Sequence, residues 1–208
     1  ASIPVLVMLG NFLFFKVRPT AIHIVGVILA VYGVIHVATH GQPLRIVALD
    51  INIGDGMVLG ACLLYAAYSL TLRYRPAIHW VSFLFSTTLF AALVSLVYLF
   101  AFSGGVPELA STLIGADTEG WLIIAYVALF PTILAQLFYA RSIELIGPNR
   151  ASLFINLVPV FGTILSVIIL GEMLEGFHFV AAAFIVGGIV LAEYAARRTI
   201  SRSAKPPV

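Results

Sequence analysis

Charge is scarce in this chain. Asp, Glu, Lys and Arg make up only 10% of its 208 residues, where a soluble globular domain carries about 25%. Cysteine is scarcer still: Cys62 stands alone within an apolar run, so no disulfide closes within the chain and no nucleophile is evident. No HExxH motif and no Cys/His cluster suggests a metal, and no motif calls for a cofactor. A Gly-rich loop ending in Lys-Ser or Lys-Thr is missing too, which leaves no visible means of hydrolysing ATP. Acids and bases within the apolar runs are few, which argues against a membrane-embedded enzyme acting on lipid or isoprenoid substrates, since that chemistry needs an acid, base or nucleophile at depth.

Apolar residues are abundant instead, at 62% of the chain, and they come in runs of about 20, enough for a helix to cross roughly 30 Å of hydrocarbon. Seven stretches read as helices: 1–15, 19–39, 55–72, 81–103, 120–140, 150–170 and 177–196. Barrel strands would alternate apolar and polar positions, and these runs do not. The fold class expected is an all-α integral membrane protein. The first stretch is anomalous, because 15 residues cover only about 22 Å at a helical rise of ~1.5 Å per residue.

Charge placement tests this count, because loops alternate sides and cytoplasmic loops collect Lys and Arg. One side receives Lys16, Arg18, Arg73, Arg75, Arg141, Arg150, Arg197, Arg198, Arg202 and Lys205, and only Arg45 lies opposite. The opposite side carries Asp50, Asp55, Glu108, Asp117, Glu119, Glu172 and Glu175. The C-terminus is expected in the cytoplasm.

The chain also repeats itself. Shifted by 155 residues, Ala1–Ala38 falls without a gap on Asn156–Glu193, matching Pro4 to Pro159, His23 to His178, Val25 to Val180, Val31 to Val186 and Gly33 to Gly188. The shift defines a unit of five helices, and an odd number forces successive units to enter the membrane in opposite senses. Lys16-Val17-Arg18 accordingly aligns with Gly171-Glu172-Met173, basic against acidic. The expected organisation is 1–51 as the last two helices of a first unit, 52–196 as a complete second unit, and 197–208 as a basic tail. Seven helices are then present of ten, three having been lost before Ala1. The alternative is a mature seven-helix protein whose first helix is short or re-entrant.

Polar residues at membrane depth should turn away from lipid. In 150–170, Ser152, Asn156, Pro159, Thr163 and Ser166 fall on one helical stripe. Helix–helix hydrogen bonding accounts for Thr163 and Ser166; Asn156, next to a proline-disrupted turn, is a candidate substrate ligand, with Ser152 beside it on the stripe. In 120–140, Thr132, Gln136 and Tyr139 share a face just past the kink expected at Pro131. Gln136 offers donor and acceptor without charge, which suits an uncharged or zwitterionic molecule such as an amino acid. Tyr65 and Tyr68, three apart, can line an amphipathic pocket. Each of these residues also has a plain packing reading.

Other features read as architecture. Trp80, Trp121, Tyr74 and Tyr194 sit at span ends, where aromatic rings anchor at headgroups. Ala183 with Gly187, and Gly188 with Ala192 and Ala196, allow close helix approach within the chain or across a homodimer. His23 and His178, near helix starts, read as snorkelling residues, and His36 is the better proton carrier. The tail Arg197–Lys205, beside a membrane helix, reads as topology signal and anionic-lipid contact rather than a nucleic-acid site.

The stretch Gly147-Pro148, Arg150-Ala151-Ser152, Leu157-Val158-Pro159-Val160, Gly171-Glu172 and Gly187-Gly188 resembles the EamA-type half of the drug/metabolite transporter superfamily. The first unit departs from that pattern in having Lys16-Val17 where a Gly-Glu or Lys-Glu pair is common. The resemblance implies ten helices in two inverted halves around a central cavity, and alternating-access transport of small metabolites or drugs. It also implies export across a bacterial inner membrane; with no visible means of hydrolysing ATP, the energy is expected from a gradient, such as one of protons, or from an exchanged solute. A non-transporting scaffold or sensor is the rival reading.

Overall fold

The computed structural model describes residues 2–48, 52–102 and 105–203. Asp50 and the tail beyond Ser203 lie outside the described residues, as do the side chains of 46–48, of Glu108 and of 197–203. The described chain is helical. Six helical stretches are long and apolar enough to cross a membrane: Ala21–Ala38, Ile53–Tyr74, Trp80–Phe102, Thr118–Ile146, Pro148–Leu170 and Gly176–Ala196. The shorter Ser2–Phe15 accompanies them. Apolar side chains cover much of the exterior, with Phe90 70% and Val97 68% exposed, as expected where the surroundings are lipid tails.

The chain divides into two compact units, one formed by 1–73 with 142–208 and the other by 74–141. In the first, α1 (Ser2–Phe15) packs on α3 (Ile53–Thr71) and on α8 (Pro148–Leu153), while α2 (Ala21–Ala38) lies along α10 (Gly176–Ser203). Thr20 caps α2 by accepting from the His23 amide, and Asn52 and Asp55 cap α3 reciprocally. Val7, Ala66 and Leu70 are buried between α1 and α3. Val27, Ala30, Ile185, Ile189 and Ala192 are buried between α2 and α10, with Leu153 against them.

Small residues set the α2–α10 spacing. Gly26 faces the backbone of Gly188 and Ala192, whereas Gly33 faces Ala181 and Ile185. As one number rises the other falls, so the helices run antiparallel. A Cβ on Gly33 would lie 2.8 Å from the Ala181 carbonyl oxygen and 2.9 Å from the Ile185 nitrogen; one on Gly188 would lie 2.6 Å from the Ala30 nitrogen. Close backbone approach of this kind drives helix association in membranes, where no hydrophobic effect operates between helices. Gly187, one residue away, has nothing within 4 Å of such a Cβ.

In the second unit, α4 (Trp80–Phe102) and α6 (Thr118–Val127) bury no residue. Trp80 anchors one end of α4, with the Arg75 guanidinium 3.9 Å from its ring centroid and Arg141 at 5.8 Å. Between the two helices runs α5 (Val106–Gly115), an amphipathic helix where the sequence shows no span. The helix around Pro131 adopts a π-helical turn over Ala128–Leu134 and then continues as α7 (Ala135–Ile146). It runs six residues past the end expected at 140, because amphipathic residues carry it out of the apolar run.

Candidate functional site

The stretch from Pro148 to Leu170 changes helical geometry three times. α8 gives way to a 3-10 turn over Phe154–Leu157, α9 follows over Val158–Leu165, and Ser166–Leu170 forms a π turn. Pro159 is the cause of the first change. It has no N–H to give the Ile155 carbonyl, and the tighter turn brings the Val158 N–H onto that oxygen instead.

Asn156 sits inside this turn, 2% exposed, and neither its Oδ1 nor its Nδ2 has a hydrogen-bond partner. An unpaired buried amide costs about 1–3 kcal/mol, and such groups call for an explanation. Its neighbours on the stripe are satisfied locally: the Ser152 hydroxyl, fully buried, donates to the Asn149 carbonyl at 3.3 Å, and that of Thr163 to the Pro159 carbonyl at 2.9 Å. Thr163 thus bonds within its own helix rather than across to another. The stripe does turn inward, with Pro159, Thr163 and Ser166 half-buried while Phe154, Val158 and Phe161 are exposed.

Tyr65 and Tyr68 belong to the same unit. Both are half-buried, their ring centroids 6.0 Å apart, and the buried Ser69 hydroxyl donates to the Tyr65 carbonyl at 2.8 Å. Thr132, Gln136 and Tyr139 belong to the other unit. Pro131 has no N–H for the Val127 carbonyl, and the π turn accommodates this by bonding amides five residues back, as Ala135 does to the Phe130 carbonyl. The hydroxyl of the exposed Thr132 also donates to the Val127 carbonyl, at 2.9 Å. That hydroxyl stabilises the π turn. Gln136 and Tyr139 are half-buried along α7.

Three features escaped the sequence reading. Arg73 and Arg150, read as topology charges, are built into the structure. The Arg73 guanidinium donates to Asn11 Oδ1 at 2.6 Å and lies 3.6 Å from the Phe15 ring centroid. Arg150 holds Glu193 through two hydrogen bonds, Nε to Oε2 at 2.7 Å and Nη2 to Oε1. The signal for the second pair was present: Glu193 is an acid on the basic side of the charge pattern. His23, read as snorkelling, is instead 7% exposed. The close α2–α10 contact encloses it, with its ring against the Ala192 main chain. His36 carries a buried, unpartnered Nδ1, its ring stacked 5.9 Å from that of Tyr32.

Residues 52–194 match the EamA-like transporter family. Over 177 residues the chain is 28% identical to a protein named "Uncharacterized transporter YyaM" of Bacillus subtilis (strain 168), covering 85% of this chain and 56% of that protein. Over 194 residues it is 25% identical to "Uncharacterized transporter YetK" of the same organism, covering 91% of this chain and 56% of that protein. The chain therefore spans little more than half the length of these relatives. No solved structure matches it.

Proposed function

The chain belongs to the EamA-like transporter family, and from that premise we propose that it works within a secondary transporter of the bacterial inner membrane, exporting a small metabolite or drug by alternating access. Family membership and transporter-named relatives favour transport over enzymatic chemistry. The observation that carries the reading is the Asn156 carboxamide, buried and unpaired on both polar atoms beside a proline-disrupted turn. A carboxamide donates and accepts at once, so it suits an amide, hydroxyl or zwitterionic substrate. Ser152, Tyr65 and Tyr68 in the same unit, and Thr132, Gln136 and Tyr139 in the other, are proposed as further substrate contacts, each within its own unit. The turns at Pro131 and Pro159 serve as hinges of their own helices.

The halves are proposed as inverted repeats, 1–51 ending the first and 52–196 forming the second. The reciprocity of the α2–α10 contact supports this. Gly33 and Gly188 are equivalent under the repeat, as are Gly26 and Ala181; Gly26 meets Gly188, and Gly33 meets Ala181. Antiparallel equivalents with exchanged contacts are what an axis in the membrane plane generates. Three preceding helices would complete ten, in keeping with relatives about one and a half times this length. A proton, with His36 as carrier, or an exchanged solute would supply the energy, and the C-terminus would face the cytoplasm. The unfilled small-residue face at Ala183 and Gly187 would serve a homodimer.

Counterflow of radiolabelled amino acids into proteoliposomes holding the full-length protein tests this reading. Accumulation above protein-free vesicles supports it, and equal counts favour the non-transporting scaffold.

A further inference from the structure

Where the α1–α2 connection passes the start of α8, the first unit forms an open cavity of about 300 Å³. Its polar lining comes from Asn11, Arg18, Thr20, His23, Asn149 and Arg150, and among the described residues no Asp or Glu lines it. Both connections that form it, Lys16–Arg18 and Gly147–Arg150, lie on the side that collects ten of the eleven basic residues. We propose that this cavity is a binding site for an oxyanion, the phosphate or carboxylate group of a membrane lipid or of a free solute. It is separate from the substrate reading of Asn156 and stands whether or not that reading holds.

The donors at the wall are arranged for an acceptor-only guest. Asn11 is 4% exposed, and Arg73 donates to its Oδ1 at 2.6 Å. That bond fixes the orientation of the amide and leaves the Nδ2 hydrogens for the cavity. Thr20 Oγ1 accepts from the His23 amide at 3.2 Å, so its own hydrogen can turn outward. Arg18 supplies a guanidinium whose planar donors fit a carboxylate or phosphate. The Arg150 charge is balanced by Glu193, so the net positive charge of the wall comes from Arg18, reinforced by the N-terminal end of the α2 dipole. One buried atom of the lining residues that can donate, His23 Nε2, makes no hydrogen bond. An unpaired buried donor beside such a cavity is what a site shows when its hydrogen bonding is completed by an acceptor guest.

The test is thermal unfolding of the full-length protein in neutral detergent. Sodium phosphate is titrated against sodium chloride at matched ionic strength, and short-chain phosphatidylglycerol against short-chain phosphatidylcholine. The wild type should show a saturable rise in midpoint with one of the two anions. Arg18→Gln, at an exposed connection, should raise the apparent dissociation constant on the order of ten- to a hundredfold, the range for a charged hydrogen bond. Asn11→Asp, which keeps an acceptor for Arg73 but removes the N–H donors, should weaken binding as well. Stabilisation by phosphate assigns a free anion, and stabilisation by phosphatidylglycerol alone assigns a lipid headgroup. No specific stabilisation by either anion, or equal affinity in wild type and both variants, overturns the proposal.

Discussion

Gly26 and Gly188 meet backbone to backbone: a Cβ built on either would stand 2.5 Å from the carbonyl oxygen of the other. The α2–α10 pair is therefore drawn together to a distance that only glycine permits.

Gly188→Ala should consequently destabilise the protein. The new methyl meets main-chain atoms of α2, which cannot rotate away, so the helices must separate and strain their flanking contacts. Overpacking of this kind costs about 1–3 kcal/mol. Gly187→Ala, with open space around its Cβ, should be neutral or should stabilise by up to about 1 kcal/mol through helix propensity. Unfolding midpoints of the two variants in detergent check the contrast; equal midpoints would contradict it.

Thr132→Val should weaken the π turn at Pro131. It removes a hydroxyl that donates to the Val127 carbonyl while keeping the shape of the side chain. The expected loss is about 0.5–1.5 kcal/mol. Thr132→Ser retains the donor and should restore stability to near the wild-type value in the same unfolding assay.

Much of the architecture was legible beforehand, and the exceptions have physical causes. Apolar runs mark the spans because lipid selects on composition. The helix ending at Ile146 outran its expected limit because Gln136, Tyr139, Arg141 and Glu144 carry it on as an amphipathic helix, which hydropathy does not register. α5 was missed because Val106, Leu109 and Leu113 are too sparse to form a run. The phase of Asn156 on an inward stripe was readable, since lipid penalises the opposite face. That its amide lacks a partner was not, because hydrogen-bond satisfaction depends on the local turn. The burial of His23 was not legible because position near a helix start suggests exposure, and its burial comes from the packing of α2 on α10.

Sidedness is open to direct labelling. With Cys62 replaced by Ser, a cysteine introduced at His79 should react with a membrane-impermeant maleimide only from the cytoplasmic face, and one at Gly115 only from the outside. This follows from the charge asymmetry. Reaction of both from the same face would remove a span from the count.

The central claim, that Asn156 serves substrate rather than the fold, is tested by measuring flux and stability together on Asn156→Ala in the full-length protein. A structural asparagine contributes stability through its hydrogen bonds, but this one makes none. Removing an unpaired amide should leave the unfolding midpoint unchanged or raised. Amino-acid counterflow in proteoliposomes should fall about tenfold or more, the value of a lost substrate hydrogen bond near 1.4 kcal/mol. A lowered midpoint with wild-type counterflow per folded molecule would contradict the account.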